Sequence, residues 1–317
     1  MLDKYGRNID YLRLSVTDLC NLRCRYCMPE TGVCKLAHED MLTEDEMIRA
    51  VKAASSLGIR KVRITGGEPL VKKNILSICR RVSEVPGIRE VALTTNGLGL
   101  PGMARALREA GVRRLNISLD TLNPEKYKYM TRMGEFEKAW EGFLSALDAR
   151  FEKIKINTVL LGGFNEDEVV SLAELTKTYP VDVRFIEWMP MYDGGDFNAA
   201  SMVSGRQILS KLEGIFPVEP DGGVAKLYRL PEALGNIGLI TPVSNHFCGE
   251  CSRIRLSADG RLKPCLHSRE ELSVKGLDDA GMREQFKNAI LSKPFGHAGL
   301  SAEKRSMAGR LMNQIGG

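Results

Sequence analysis

The stretch YLRLSVTDLCNLRCRYCMP, residues 11–29, runs from an alternating apolar segment straight into three cysteines. Residues 11–16 read as a strand, and Cys20, Cys24 and Cys27 follow within eight residues. Three thiolates at this spacing can grip a metal centre, yet structural zinc and iron–sulfur clusters ordinarily take four protein ligands. No fourth ligand is at hand, since the nearest histidine along the chain is His38. A three-thiolate loop at the end of a first strand suits a [4Fe–4S] cluster in which one iron is reserved for an exchangeable ligand.

The strand pattern recurs. Segments 61–65, 90–95, 113–119, 154–160 and 182–186 also read as strands, separated by amphipathic stretches such as TEDEMIRAVKAASSLG and NEDEVVSLAELTKTYP. The first of these has a threonine cap, an acidic first turn and a closing glycine; the second stops before a proline. Repeated βα units imply a parallel sheet with right-handed crossovers, open or rolled into a barrel. From about residue 190 the pattern loosens into glycine- and proline-rich sequence with short apolar patches.

Strands buried on both faces should be near-continuous aliphatics, but each of these alternates. Leu12, Leu14, Val62, Ile64, Val91, Leu93, Leu115, Ile117, Ile154, Ile156, Val183 and Phe185 share one parity. The opposite parity carries Arg13, Ser15, Arg63, Thr65, Thr94, Asn96, Asn116, Ser118, Lys155, Asn157 and Arg184. With helices on the apolar face, the polar set points inward. An ordinary (βα)8 interior is packed with branched aliphatics, so this sheet is expected to curl around a wet or ligand-filled cavity. A sheet with one face open to solvent is the alternative. Four of the inward residues are cations, with Asp182 the only obvious counter-ion on the strands. A polyanionic ligand would supply the missing charge, and the cations would then be replaceable without loss of the fold.

A second group, FCGECSRIRLSADGRLKPCL at 247–266, repeats the three-cysteine arrangement with Cys248, Cys251 and Cys265. Alone it could also be a Cys3His zinc site using His246 or His267. Cys79 falls on a helical apolar pattern and reads as core, and Cys34 as an incidental loop thiol.

Composition sets the surroundings. The 317 residues are 43% hydrophobic with a net charge of +5, enough for one large core or a core plus an extension. Eight cysteines are too few for a disulfide scaffold. No apolar run approaches ~18 residues and the start MLDKYGRNID has no hydrophobic signal region, so no membrane span is expected and the cytoplasm is the expected location. The chain offers no basic helix run or aromatic platform, which argues against nucleic acid.

These motifs carry a specific resemblance. CNLRCRYC resembles the CxxxCxxC pattern of the radical S-adenosylmethionine superfamily, with Tyr26 the aromatic before the last cysteine. TGGEP resembles that superfamily's turn for the methionine amine, at Gly66, Gly67, Glu68 and Pro69; Thr94, Asn96, Ser118 and Met189 sit at further strand ends. Beyond this core, DKYGRNIDYLRLSVTDLCNLRCRYCMP, LNISLDTLNPEKY, VRFIEWMP, the second cysteine group and the terminal Gly316 and Gly317 are similar to the GTP 3′,8-cyclase family of molybdenum cofactor biosynthesis. One departure is Ser252, where the family usually has asparagine.

The resemblance implies an incomplete (βα)6 TIM-like barrel over residues 1–190 and a C-terminal extension, 191–317, with a second iron–sulfur cluster. It implies two [4Fe–4S] clusters and S-adenosylmethionine, whose amino and carboxylate groups chelate the open iron of the first. It further implies GTP lying between the clusters, contacted by Arg13, Arg63, Lys155, Arg184, Arg253 and Arg255, with its guanine at the open iron of the second. The implied reaction takes hydrogen from the ribose 3′ carbon and joins that carbon to C8, giving 3′,8-cyclo-7,8-dihydroguanosine triphosphate. An electron donor is then required, the next enzyme of the pathway is a candidate partner, and the protein is expected as a monomer or homodimer. Another radical S-adenosylmethionine enzyme with an auxiliary cluster, such as a peptide modifier, is the alternative. A frayed diglycine terminus is the ordinary expectation; the resemblance instead implies a tail threaded beside GTP.

Overall fold

Period-two alternation produces strands wherever the sequence carries it. In the computed structural model, which describes all residues except 34–35, 192–196, 298–300, 302–305 and 317, these are β1 (Tyr11–Ser15), β2 (Lys61–Thr65), β3 (Glu90–Thr95), β4 (Arg114–Ser118), β5 (Lys153–Leu160) and β6 (Val181–Glu187). They pair in sequence order, all parallel. Helices α1 (Glu44–Ser56), α2 (Ile75–Ser83), α3 (Ala104–Glu109), α4 (Pro124–Thr131), α5 (Phe136–Asp148) and α6 (Val169–Thr178) fill the crossovers. The cap read at the start of α1 is present: the Thr43 hydroxyl accepts from the Glu46 amide, and Glu46 accepts in return from the Thr43 amide.

The apolar parity faces the helices. Leu12, Leu14, Val62, Ile64, Leu93, Leu115, Ile156, Val183 and Phe185 are fully buried in one continuous core, each side chain contributing about 1.5–3 kcal/mol by leaving water. Cys79 lies in that core, as expected, and burial pushes its thiol up to about 12.

After residue 190 the described residues form α7 (Gly205–Ser210), α8 (Asp279–Leu291) and six short strands: β7 (Phe216–Pro217), β8 (Lys226–Arg229), β9 (Ile237–Ile240), β10 (Arg253–Leu256), β11 (Arg261–Lys263) and β12 (Leu272–Ser273). They continue the same sheet. Its order is β12-β11-β10-β1-β2-β3-β4-β5-β6-β9-β8-β7, with β10 parallel to β1 and β9 parallel to β6. The sheet is an unclosed barrel, as expected, but eight parallel strands line it, two of them from the C-terminal part of the chain. The alternation of Arg253 and Arg255 reads by itself as a plain surface strand, whereas β10 joins the sheet beside β1; the pattern of β9 is too short to read. Helix α8 packs on α1, with Arg49 bridging to Asp279 at 2.6 Å.

Register also concentrates charge. Arg13 pairs with Arg63 on one side and Arg255 on the other. Like charges directly opposite destabilise a sheet, so this face is built for something negative.

Candidate functional site

The inward parity lines a cavity of about 330 Å³, and both cysteine triads open onto it. Arg13, Arg63, Arg184, Arg253 and Arg255 line it, as do Tyr26, Gly66, Gly67, Glu68, Thr94, Asn96, Ser118 and Met189. The expectation that the polar face of the sheet lines an interior cavity, rather than facing open solvent, therefore holds.

The first triad rides on the loop leaving β1. Arg23 pins that loop by donating from Nη1 to the carbonyls of Cys20 (2.7 Å) and Leu22 (2.8 Å), and Arg132 donates to the Arg23 carbonyl at 2.6 Å. Burial pushes Cys20 up to about 11, Cys27 to about 12 and Cys24 well above the ordinary thiol range, with the neighbouring sulfurs adding to it for Cys24 and Cys27. A cationic centre between these three half-buried thiols would favour their ionised form.

The glycine pair after β2 allows backbone to lie against backbone. The Gly67 amide donates to the Thr17 carbonyl at 2.8 Å and the Glu68 amide to the Leu19 carbonyl at 2.7 Å. A Cβ would stand 2.6 Å from the Thr17 oxygen at Gly66 and 2.3 Å from the Leu19 oxygen at Gly67. The turn thus sets the position of the cysteine loop. Gly67→Ala should cost about 1–3 kcal/mol and reduce iron bound at the first triad while sparing the second, as read by melting and by iron content of single-triad variants.

Glu68 is fully engaged in this turn. Its carboxylate accepts from Thr95 Oγ1 (2.7 Å), the Asn96 amide (2.7 Å) and the Leu70 amide (3.0 Å), while burial pushes it up to about 7. Across the cavity Tyr26 donates its hydroxyl to Asp120 at 2.8 Å, and the Val159 amide donates to the other Asp120 oxygen at 2.9 Å. Burial pushes Asp120 up to about 6. Asp120 ends the strand motif SLD, so the signal for it was in the sequence although only Ser118 was taken from that motif.

The second triad is held from behind. Arg7, paired with Asp3 at 2.6 Å, donates to the carbonyls of Cys248 (2.8 Å), Phe295 (2.9 Å) and Pro294 (2.8 Å). Buried Lys293 donates to the carbonyls of Arg253 (2.8 Å) and Pro264 (2.9 Å). Burial works to raise the Cys251 thiol, but Lys293 and Arg253 hold it below the ordinary range. His267 lines the cavity and His246 does not. Among the described residues no three His, Cys, Asp or Glu side chains converge tightly enough for one metal ion; the triads are open frames, compatible with a centre larger than a single ion. Ser252 contributes its carbonyl to the Tyr11 amide at 3.2 Å.

The tail enters the site. Asn313, Ile315 and Gly316 are buried. Arg255 Nη1 donates to the carbonyls of Gly316 (2.6 Å) and Ile315 (3.1 Å). Asn313 Nδ2 donates to the Asp18 carbonyl at 3.1 Å, and its backbone amide reaches the Cys27 sulfur. Gly317 and Cys34 lie outside the described residues.

One expectation fails. Lys155 and Arg184 do have protein partners: Asp221, from the loop between β7 and β8, sits 2.8 Å from Lys155 Nζ and 3.2 Å from Arg184 Nη2. Lys155 also lies 3.8 Å from Asp182, whose other oxygen takes Lys153 at 2.6 Å. Lys155 is absent from the cavity lining. Strand parity told which way it points, but not that a distant loop meets it there.

The donor set fits the implied groups. Among the described residues, Thr94 Oγ1, Asn116 Oδ1 and Arg184 Nε are buried without a hydrogen-bond partner, and all three residues face the cavity. Buried polar atoms in this condition point to an absent bonding partner.

Comparison with known proteins places these features. Residues 14–176 match the model of the radical SAM superfamily, and residues 181–299 the model Molybdenum Cofactor Synthesis C. The chain is 45% identical to the GTP 3′,8-cyclase of Alkaliphilus oremlandii and 48% to that of Pelotomaculum thermopropionicum, covering 100% of both chains in each case. Among solved structures it is similar to Streptococcus suis SuiB bound to S-adenosylmethionine, with a TM-score of 0.62, 14% identity, and 87% of this chain and 64% of that one covered. Methylornithine synthase gives 0.52 at 19% identity, over 65% and 62%. These last two likenesses are of fold alone.

Proposed function

The chain belongs to the GTP 3′,8-cyclase family of the radical S-adenosylmethionine superfamily, and from that premise we propose that it converts GTP to 3′,8-cyclo-7,8-dihydroguanosine triphosphate, the first step of molybdenum cofactor biosynthesis. The observation that carries this reading is one cavity lined by both cysteine triads and by five arginines. Cys20, Cys24 and Cys27 would hold one [4Fe–4S] cluster, and Cys248, Cys251 and Cys265 the other. When bound, the first cluster and S-adenosylmethionine supply the one-electron hydrogen-abstracting chemistry that side chains cannot.

The residues of the chain bind, orient and shield. Gly66, Gly67, Thr94, Asn96, Ser118, Asp120 and Met189 line the same cavity and would bind S-adenosylmethionine beside the first triad. Arg13, Arg63, Arg184, Arg253 and Arg255 offer the charge that a triphosphate neutralises, each charge-assisted contact being worth about 1.5–3 kcal/mol. Joining C3′ to C8 removes one hydrogen atom from the ribose, and the dihydro ring gains one proton and one electron. Water must be kept from the carbon being attacked, and the buried tail serves that need. Electrons come from an external one-electron donor. No helix among the described residues is long and apolar enough to cross a membrane.

The test is anaerobic incubation of reconstituted protein with reductant, S-adenosylmethionine and GTP. Formation of the cyclised triphosphate supports the reading; cleavage of S-adenosylmethionine with GTP left intact would sink it. Arg184→Ala should weaken GTP binding by about 10- to 150-fold and hardly affect binding of the parent nucleoside, guanosine, both measured by calorimetry.

A further inference from the structure

Residues 218–225 join β7 to β8 at the edge of the sheet beyond β6 and β9. At the tip, Asp221 Oδ1 accepts from the Gly223 amide at 3.0 Å, which fixes the carboxylate. Its Oδ2 is shared by Lys155 and Arg184, whose side chains are only 5% and 7% exposed, while Asp221 is 30% exposed. A surface hairpin thus reaches inward to place one carboxylate on two buried cations. Arg184 faces the cavity as well, and its buried Nε has no hydrogen-bond partner. Around it stand Arg63 and Arg253, close enough to act on its charge. The cations hold Asp221 down to about 2, and burial brings Lys155 down to about 8 even with Asp221 beside it.

The carboxylate therefore occupies part of a larger anion site. We propose that Asp221 is a specificity-determining residue: its carboxylate holds the place of a ligand phosphate on Lys155 and Arg184, and a polyphosphate displaces the hairpin tip to reach them. This rests on the reading that Arg184 meets the phosphates of GTP. A displaced tip returns a half-exposed carboxylate to water, at small cost. The ligand that displaces it must bring more negative charge than one carboxylate, which favours a triphosphate and leaves an uncharged nucleoside unable to compete.

Asp221→Asn removes the charge and keeps an acceptor for the Gly223 amide. In the reconstituted full chain it should tighten GTP and inorganic tripolyphosphate by about tenfold, leaving guanosine unchanged. GTP should also speed amide exchange across residues 218–225 of the unsubstituted protein. Asp221→Ala should shift affinity in the same direction, so a folding defect in one variant does not decide the matter. If neither substitution tightens GTP while Arg184→Ala weakens it, Asp221 is a structural clamp and the proposal falls alone. If Arg184→Ala leaves GTP affinity unchanged, the phosphate reading of Arg184 falls and takes the proposal with it. Slower exchange at the tip with GTP bound would likewise overturn displacement.

Discussion

Cys265→Ala is expected to leave reductive cleavage of S-adenosylmethionine in place while abolishing cyclisation of GTP, whereas Cys24→Ala abolishes both. The two triads line one cavity but sit on different loops. Cys24 shares its loop with Cys20 and Cys27, beside the turn at Gly66 and Gly67. Cys265 follows β11 and faces Cys248 and Cys251, among Lys293 and the clamp of Arg7. Loss of an outer partner of a metal ligand costs about 10–100-fold, so loss of a ligand itself should exceed ~100-fold in the step it serves. Iron and sulfide should fall from about eight each to about four in either variant. Zinc without labile sulfide at the second triad, or equal loss of cleavage in both variants, would refute the division of roles.

Removal of Gly316 and Gly317 should reduce cyclisation to a small fraction while both triads still load and S-adenosylmethionine still binds. Gly316 has a φ of +68°, and a Cβ there would stand 2.3 Å from Thr65 Oγ1. Left-handed backbone costs a side-chain-bearing residue roughly 1–2 kcal/mol, and the contact adds to it, so Gly316→Ala should act in the same direction as truncation. Arg255 loses the Gly316 carbonyl in the truncated protein. Melting should hardly change, because Ile315 and Asn313 keep their places. Full product formation by the truncated chain would make the tail an ordinary terminus.

The strands, the interior cavity and the two cysteine triads that open onto it were legible because each is written locally, as a period of two or as short cysteine spacing. What escaped depends on contacts between distant segments. Asp221 meets Lys155 and Arg184 from a glycine-rich loop whose sequence has no period. Arg7 reaches the Cys248 carbonyl from near the start of the chain. Strand β9, four residues long, is too short to announce itself; the alternation of Arg253 and Arg255 marks β10 as a strand but not its place, which is set by the exposed edge of β1 as that of β9 is by β6. Lys155 shows the limit most plainly: parity gives the direction of a side chain, and only the fold gives what it meets.

The parallel pairing of Tyr11 with Arg253 has a bearing on how the molecule is made. Until residues near 253 have left the ribosome, β1 is a bare edge ending in a loop with three thiols. An open edge invites pairing with other chains, and contacts this far apart in sequence form late. The same delay leaves the first triad reachable from outside while most of the chain is already folded. Iron and sulfide would be delivered in that interval, before the segment around Asn313, whose amide reaches the Cys27 sulfur, seats beside the first triad. A chain that seats this segment before it receives iron would have to release it again, which predicts that reconstitution during folding outpaces reconstitution of the finished protein.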